Sequence, residues 1–297
     1  MSPRLALAKS ACLLFLAAGL GLVGATAGRS ETGGLPQTVH FPSKDGTTDL
    51  IGYLFVPAKP AEARKPAIVL MHGRAGPYSS LARGVYDATT LSKRHAFWGH
   101  YWADRGYVAL LADSFSPRGY PRGFPAHSYD ERPDAVNEVT VRPLDAYGAL
   151  AYLKSRGDVA PDRVVLQGWS NGGSATLASM ADGLWQGLGP KPGDGFRGAL
   201  AFYPGCGLQD RFKDGYLPYA PTLVLSGDAD EEVSTERCVR LVAASRAKGG
   251  DIRITVYPGA THDFDDPGEK RQGVPANAAA TKDAIRQAGE FVAALVK

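Results

Sequence analysis

Hydrophobic residues fall along the chain in short blocks rich in Val, Leu and Ile, separated by polar stretches. Seven blocks read as strands: Leu50–Val56, Ala67–Met71, Val108–Ala112, Val164–Gln167, Ala199–Tyr203, Thr222–Ser226 and Ile252–Tyr257. Several are continuous apolar runs, the pattern of strands covered on both faces. Helix-like stretches lie between them at Ala96–Asp104, Leu144–Lys154, Gly173–Ala181, Thr235–Lys248 and Ala276–Val296. Pro143 suits a helix's first turn. Alternating strands and helices predict an α/β fold, a mostly parallel sheet with helices on both faces. Pro36–Val56 has no helix-like stretch and predicts an antiparallel hairpin at the sheet edge.

The start of the chain follows a different pattern. Arg4 and Lys9 precede the apolar run Ala11–Val23, and Ala25-Thr26-Ala27 follows it as a small-x-small site. This is the layout of a secretory signal peptide, cleaved after Ala27. The run is short of the roughly 20 residues that span a bilayer. Cys12 lies at its head and not its end, which argues against a lipid anchor. Residues 28–297 then form the mature protein, with no repeat and no linker to divide them, and predict one domain.

Composition sharpens this reading. The charge of +3 falls to +1 once Arg4 and Lys9 are removed, with no sign of the clustered basic face a nucleic-acid partner needs. Two cysteines remain, Cys206 and Cys238, and an even pair in an exported protein predicts one disulfide. No H-E-x-x-H, EF-hand loop, Cys/His cluster or dinucleotide-binding glycine pattern occurs in the needed context, so neither a metal nor a cofactor is expected.

The chemistry is concentrated at strand ends. Gly168-Trp169-Ser170-Asn171-Gly172 fits G-x-S-x-G, a pattern that needs its flanks to count. Here the strand Val164–Gln167 runs into it, and small residues starting a helix follow. A turn this tight holds Ser170 in a strained backbone and points Oγ at a helix N-terminus. Of six histidines only His262 follows Ser170, just past the strand Ile252–Tyr257. The orienting acid belongs between them in chain order. Asp228 and Asp230, beyond Thr222–Ser226, compete for it. The turn carries Asp230 further toward the His262 loop, which leaves Asp228 as a turn-stabilising residue. Asp263, Asp265 and Asp266 follow His262 too closely to orient its ring.

Acyl transfer also needs an oxyanion hole. The backbone N–H of Asn171 is one expected donor, and that of Arg74, in His72-Gly73-Arg74-Ala75-Gly76 after an early strand, is the other. His72 is expected to be structural. The loop Asp113–Asp134, with four Pro, three Arg and four aromatics, is too long and distinctive for a plain connection, and is the expected specificity element. Arg118 and Arg122 are its candidates for holding a substrate carboxylate. Trp169 is a candidate for lining the acyl pocket, while Tyr203 is expected to pack.

These pieces resemble the dienelactone hydrolase family of the α/β-hydrolase superfamily. The resemblance rests on Met71-His72-Gly73, Asp113–Gly119, Gly168–Gly173, Phe202–Cys206, Gly227-x-x-Asp230 and His262-Asp263-Phe264. It implies an eight-stranded sheet and a Ser170–Asp230–His262 triad, and it favours Asp230 over Asp228. Ser170 stands where the best-known members have Cys, Gly73 where they have Glu, and no Arg lies between His262 and Arg271 to hold a substrate carboxylate. These departures argue against dienelactone as the substrate. The expectation is an exported, periplasmic or secreted serine hydrolase acting on a small-molecule ester. A peptidase of the same fold usually carries a large extra domain, for which 270 residues leave no room. A non-catalytic binding protein on this fold would show a broken triad, whereas all three positions are filled.

Overall fold

The computed structural model describes residues 34–58, 63–182, 194–213 and 215–297, together with Met1; the expected signal peptide, 1–27, lies otherwise outside the described residues. One sheet is built from β1 (Gln37–Pro42), β2 (Asp49–Phe55), β3 (Lys65–Met71), β4 (Val108–Asp113), β5 (Val159–Trp169), β6 (Ala199–Phe202), β7 (Thr222–Gly227) and β8 (Ile252–Tyr257). Its order is β1-β2-β4-β3-β5-β6-β7-β8. β1 and β2 form the expected antiparallel hairpin, and β2 also runs antiparallel to β4. Every other pairing is parallel.

The helices are α1 (Lys93–Asp104), α2 (Arg142–Ser155), α3 (Asn171–Met180), α4 (Thr235–Ala247), α5 (Glu269–Gln272) and α6 (Pro275–Leu295). Alternate residues of each strand face opposite sides. Ile68 and Leu70 of β3 pack with Trp98 and Trp102 of α1 and with Ala284, Ala288 and Phe291 of α6 in one cluster. Val69 packs with Leu54, Leu110, Leu166 and the α2 residues Ala146, Leu150 and Leu153 in another. Leu177 and Ala178 of α3 cluster with Val242 of α4 and Val224 of β7. Burial on both faces is the reason the strands are continuous apolar runs. Each such Leu, Ile or Val contributes about 1.5–3 kcal/mol over its exposed state.

Several boundaries shift by one to three residues, and three differences from expectation have a clear physical reason. β5 starts at Val159 because it already pairs there with Lys65 of β3; the exposed Asp162 and Arg163 conceal this in the sequence. α3 starts at Asn171, since the glycines after Ser170 are helical and not part of a turn. The four-residue α5 has too few residues for a periodic signal. The expected Cys206–Cys238 disulfide is present, tying the segment after β6 to α4. Its sequence separation of 32 residues corresponds to about 3–4 kcal/mol in the chain-entropy account. Among the described residues no helix is long and apolar enough to cross a membrane.

From β3 the chain moves outward to β4, then crosses back to place β5 on the other side of β3. The carboxyl ends of β3 and β5 therefore flank the switch point, where open α/β sheets form a crevice. His72–Gly76 and Ser170 emerge there.

Candidate active site

Ser170 lies between β5 and α3 with φ 52° and ψ −117°. This is a left-handed conformation that costs a non-glycine residue on the order of 1–3 kcal/mol. Close packing holds it. A Cβ on Gly168 would lie 2.2 Å from the Gly172 carbonyl oxygen, and one on Gly172 would lie 2.1 Å from that of Met71. Only glycine lets β5, α3 and β3 approach this closely. The Ser170 N–H donates to the Phe202 carbonyl at 2.9 Å, which anchors the turn to β6.

Ser170 Oγ and His262 Nε2 are 2.9 Å apart, and His262 Nδ1 is 2.8 Å from Asp230 Oδ2. The three expected side chains therefore meet, although they lie on three separate loops. The other Asp230 oxygen, Oδ1, accepts the N–H groups of Glu232 and Val233 at 2.8 and 2.9 Å. Asp228 is exposed, and its carboxylate accepts the Gly259 N–H at 2.6 Å. It thus ties two strand-end loops together, and the expected role of stabilising its own turn falls to Asp230. The His262 backbone N–H donates to Glu231 at 2.9 Å. Burial disfavours the His262 imidazolium, but the Asp230 hydrogen bond and the charges of Asp263, Asp230 and Glu232 outweigh it and raise the pKa above 6.5.

The expected oxyanion residues border this point. A Cβ on Gly73 would lie 3.5 Å from that of Ser170, so the start of the His72–Gly76 loop abuts the serine. Phe124 N–H donates to the Arg74 carbonyl at 2.8 Å, laying the long loop after β4 against it. The side chain of Asn171 is held from behind. Arg142 Nη1 donates to its Oδ1 at 2.5 Å, and its Nδ2 donates to Glu138 at 3.0 Å. His72 is buried and structural as expected. Its Nδ1 contacts the Gly73 carbonyl at 2.7 Å, and its Nε2 accepts the Ser114 N–H at 3.2 Å.

The substrate-binding expectations need correction. Arg118 is not available to a substrate: Nη1 donates to Ser114 O and Asp145, and Nη2 to Asp45 and Asp145, at 2.7–2.9 Å. This ion-pair cluster pins the long loop to α2 and to the β1–β2 turn. Arg122 is exposed and turned aside to the Tyr86 hydroxyl, 3.1 Å from its Nε. Trp169 is packed in the core instead of standing in an open acyl pocket. It is fully buried, packs against Trp98 and Phe202, and donates its indole N–H to Asp265 at 2.9 Å. Tyr203 packs as expected, edge-on to the His262 ring with centroids 4.7 Å apart.

Two acids at the site escape sequence reasoning. Asp265 is buried and accepts hydrogen bonds from Trp98, Trp169 and Tyr203, with Arg94 Nε 3.4 Å away. Glu232 pairs with Arg74 through Nε at 2.7 Å and Nη2 at 2.5 Å, and its Oε2 is 3.8 Å from His262 Nε2. The only hint in the sequence is the run Asp230-Glu231-Glu232 at a strand end. Among the described residues no group of three or more His, Cys, Asp or Glu is arranged to hold a metal ion.

The sequence pattern of the dienelactone hydrolase family matches residues 50–296. A curated relative, acylamino-acid-releasing enzyme 2 of Oryza sativa subsp. japonica, is 26% identical over 263 residues, which is 75% of this chain and 30% of that protein. The chain thus spans under a third of that relative's length. A dienelactone hydrolase-like promiscuous phosphotriesterase from metagenomic libraries shares the fold. Its TM-score is 0.62 at 18% identity, covering 89% of this chain and all of the other. Esterase 2 of Thermogutta terrifontis, solved after phosphorylation by paraoxon, is also similar. There the TM-score is 0.57 at 20% identity, covering 87% of this chain and 94% of the other.

Proposed function

The chain belongs to the dienelactone hydrolase family, and from that premise we propose that it is an exported serine hydrolase cleaving carboxylic esters through an acyl-enzyme. The observation that carries this reading is the run of hydrogen bonds from Ser170 Oγ through His262 to Asp230. Ser170 Oγ attacks the ester carbonyl while His262 Nε2 takes its proton. The N–H groups of Arg74 and Asn171 hold the oxyanion, and Asp230 stabilises the imidazolium. His262 then protonates the leaving alcohol and activates the water that releases the acyl group. This chemistry uses no cofactor or metal, and the partner is a small-molecule ester. The signal-peptide layout of residues 1–27 and the Cys206–Cys238 bond support export to the periplasm or beyond.

The test is covalent labelling. A fluorophosphonate should attach to the Ser170 peptide and abolish p-nitrophenyl butyrate hydrolysis in proportion. Labelling elsewhere, or hydrolysis that survives complete labelling, would sink the mechanism. A protein neither labelled nor active would favour a binding role. A second reading, release of an acylated amino acid from a peptide, draws on the similarity to acylamino-acid-releasing enzyme 2. Turnover of N-acetylalanine p-nitroanilide above that of p-nitrophenyl butyrate would decide for it.

The raised His262 pKa has a kinetic consequence. The base must be neutral, so kcat/KM should fall on the acid side through a midpoint above 6.5, the value of an unperturbed imidazole. A midpoint below 6.5 in a pH–rate profile would show that burial, and not the surrounding carboxylates, governs the ring.

A further inference from the structure

We infer that Glu232 is a further catalytic residue, accepting a hydrogen bond from the water that attacks the acyl-enzyme while His262 takes that water's other proton. The inference rests on the acyl-enzyme reading of Ser170. Glu232 is built in differently from Asp230. Asp230 meets His262 at Nδ1, the side away from the serine, whereas Glu232 Oε2 lies 3.8 Å from Nε2, the nitrogen facing Ser170 Oγ. A general base must come within roughly 2.6–3.2 Å of the proton-bearing atom. Two acceptors 3.8 Å apart are both within reach of one water oxygen.

Its surroundings keep Glu232 ready to accept. The Arg74 guanidinium grips both carboxylate oxygens. Burial opposes ionisation of Glu232, but these hydrogen bonds and the nearby His262 outweigh it and hold its carboxyl below the usual range. The side chain is 12% exposed, so solvent reaches it. Arg74 is also the residue whose N–H is proposed for the oxyanion hole, which would link the carboxylate to it.

In the step, the water oxygen bonds to the acyl carbonyl carbon and the carbonyl π pair moves to the oxyanion. One water proton passes to Nε2, and the other stays on the oxygen in a hydrogen bond to Glu232. On collapse the carbon–Oγ bond breaks and the Nε2 proton returns to Ser170. Deacylation therefore has two protons to place. Acylation by a p-nitrophenyl ester does not, because the departing p-nitrophenolate carries no second O–H.

That asymmetry supplies the test. In Glu232→Gln, a near-isostere whose single amide oxygen keeps only one of the two Arg74 hydrogen bonds and whose lost charge bears on His262 in both steps, the rapid release of p-nitrophenolate from p-nitrophenyl butyrate should fall by no more than about threefold. Steady-state turnover should fall about 10- to 100-fold, the size of effect that follows from misplacing one reactant. Butyryl-Ser170 should accumulate in the intact-mass spectrum. In Glu232→Ala, added formate should restore steady-state turnover while leaving the p-nitrophenolate burst unchanged, whereas formate acting only as a new partner for Arg74 would move both steps together. Equal loss of both steps, or no loss of either, overturns the role of Glu232 while leaving the acyl-enzyme intact. Wild type that forms no acyl-Ser170 overturns the acyl-enzyme reading itself, and the inference with it.

Discussion

Ser170→Ala should lower kcat for p-nitrophenyl butyrate by about 10⁵-fold while leaving the fold within about 1 kcal/mol of wild type in stability. The size of the loss follows from removing the nucleophile of a unit whose members act together. The residual rate should still exceed that of water, because the oxyanion hole and ester binding remain. Stability should hold because alanine keeps the Cβ, so the backbone conformation at φ 52° is neither relieved nor worsened. The substitution removes the Oγ–His262 hydrogen bond, worth about 1 kcal/mol. Steady-state kinetics paired with a urea melt check both halves. Turnover within tenfold of wild type would remove Ser170 from the chemistry. A melt displaced by more than about 2 kcal/mol would mean that the activity loss reports misfolding.

Asp265→Ala should be the most destabilising single substitution in the site. The carboxylate joins four elements: Trp98 of α1, Trp169 at the end of β5, Tyr203 after β6 and the loop that carries His262. Alanine leaves two indole N–H groups and a phenol without their acceptor in a buried region. Each orphaned donor costs about 1–3 kcal/mol. Arg94 keeps Asp263 and Asp266 at 2.9 and 3.3 Å, so its charge is not stranded. The total should be on the order of 4 kcal/mol, close to that for breaking a buried ion pair. In a protein of this size it should lower Tm by roughly 10 °C. Differential scanning calorimetry measures this directly, and a Tm within about 2 °C of wild type would show that the donors find other acceptors. Asp265→Asn should be milder, because the amide oxygen still accepts from one side. Both variants should slow catalysis as well, since the same hub connects the strand ending at Trp169 to the loop holding His262.

Much of the fold was legible because burial on both faces writes itself into the chain. Core strands become uninterrupted apolar runs, and the parallel connections between them carry helices. Where a strand has an exposed stretch, as at Asp162 and Arg163, that signal vanishes and the start of β5 is lost. The turn that carries Ser170 was legible for a related reason. Packing β5 against α3 and β3 at carbonyl distance demands Gly168 and Gly172, so the steric requirement is visible as glycines around Ser170. His262 followed because no other histidine lies after the serine. The choice between Asp228 and Asp230 depended on how far a tight turn carries the chain.

Arg118 marks the boundary of that legibility. In the sequence it is a cation in a long loop after a strand, the same description that fits a substrate-binding arginine. Its fate is decided by Asp45 and Asp145, 73 and 27 residues away. Asp265 accepts a hydrogen bond from Trp98 across 167 residues, and Glu232 meets Arg74 across 158. The sequence by itself determined the sheet, the sharp turn at Ser170 and the strand ends that carry Ser170, Asp230 and His262, because these follow from local sterics and from burial patterns that repeat every few residues. Only the tertiary structure decided which charged side chains neutralise one another and which stand beside Ser170 and His262. Hydrogen bonds act over about 3 Å and depend on direction, and the separation of two residues along the chain constrains neither quantity.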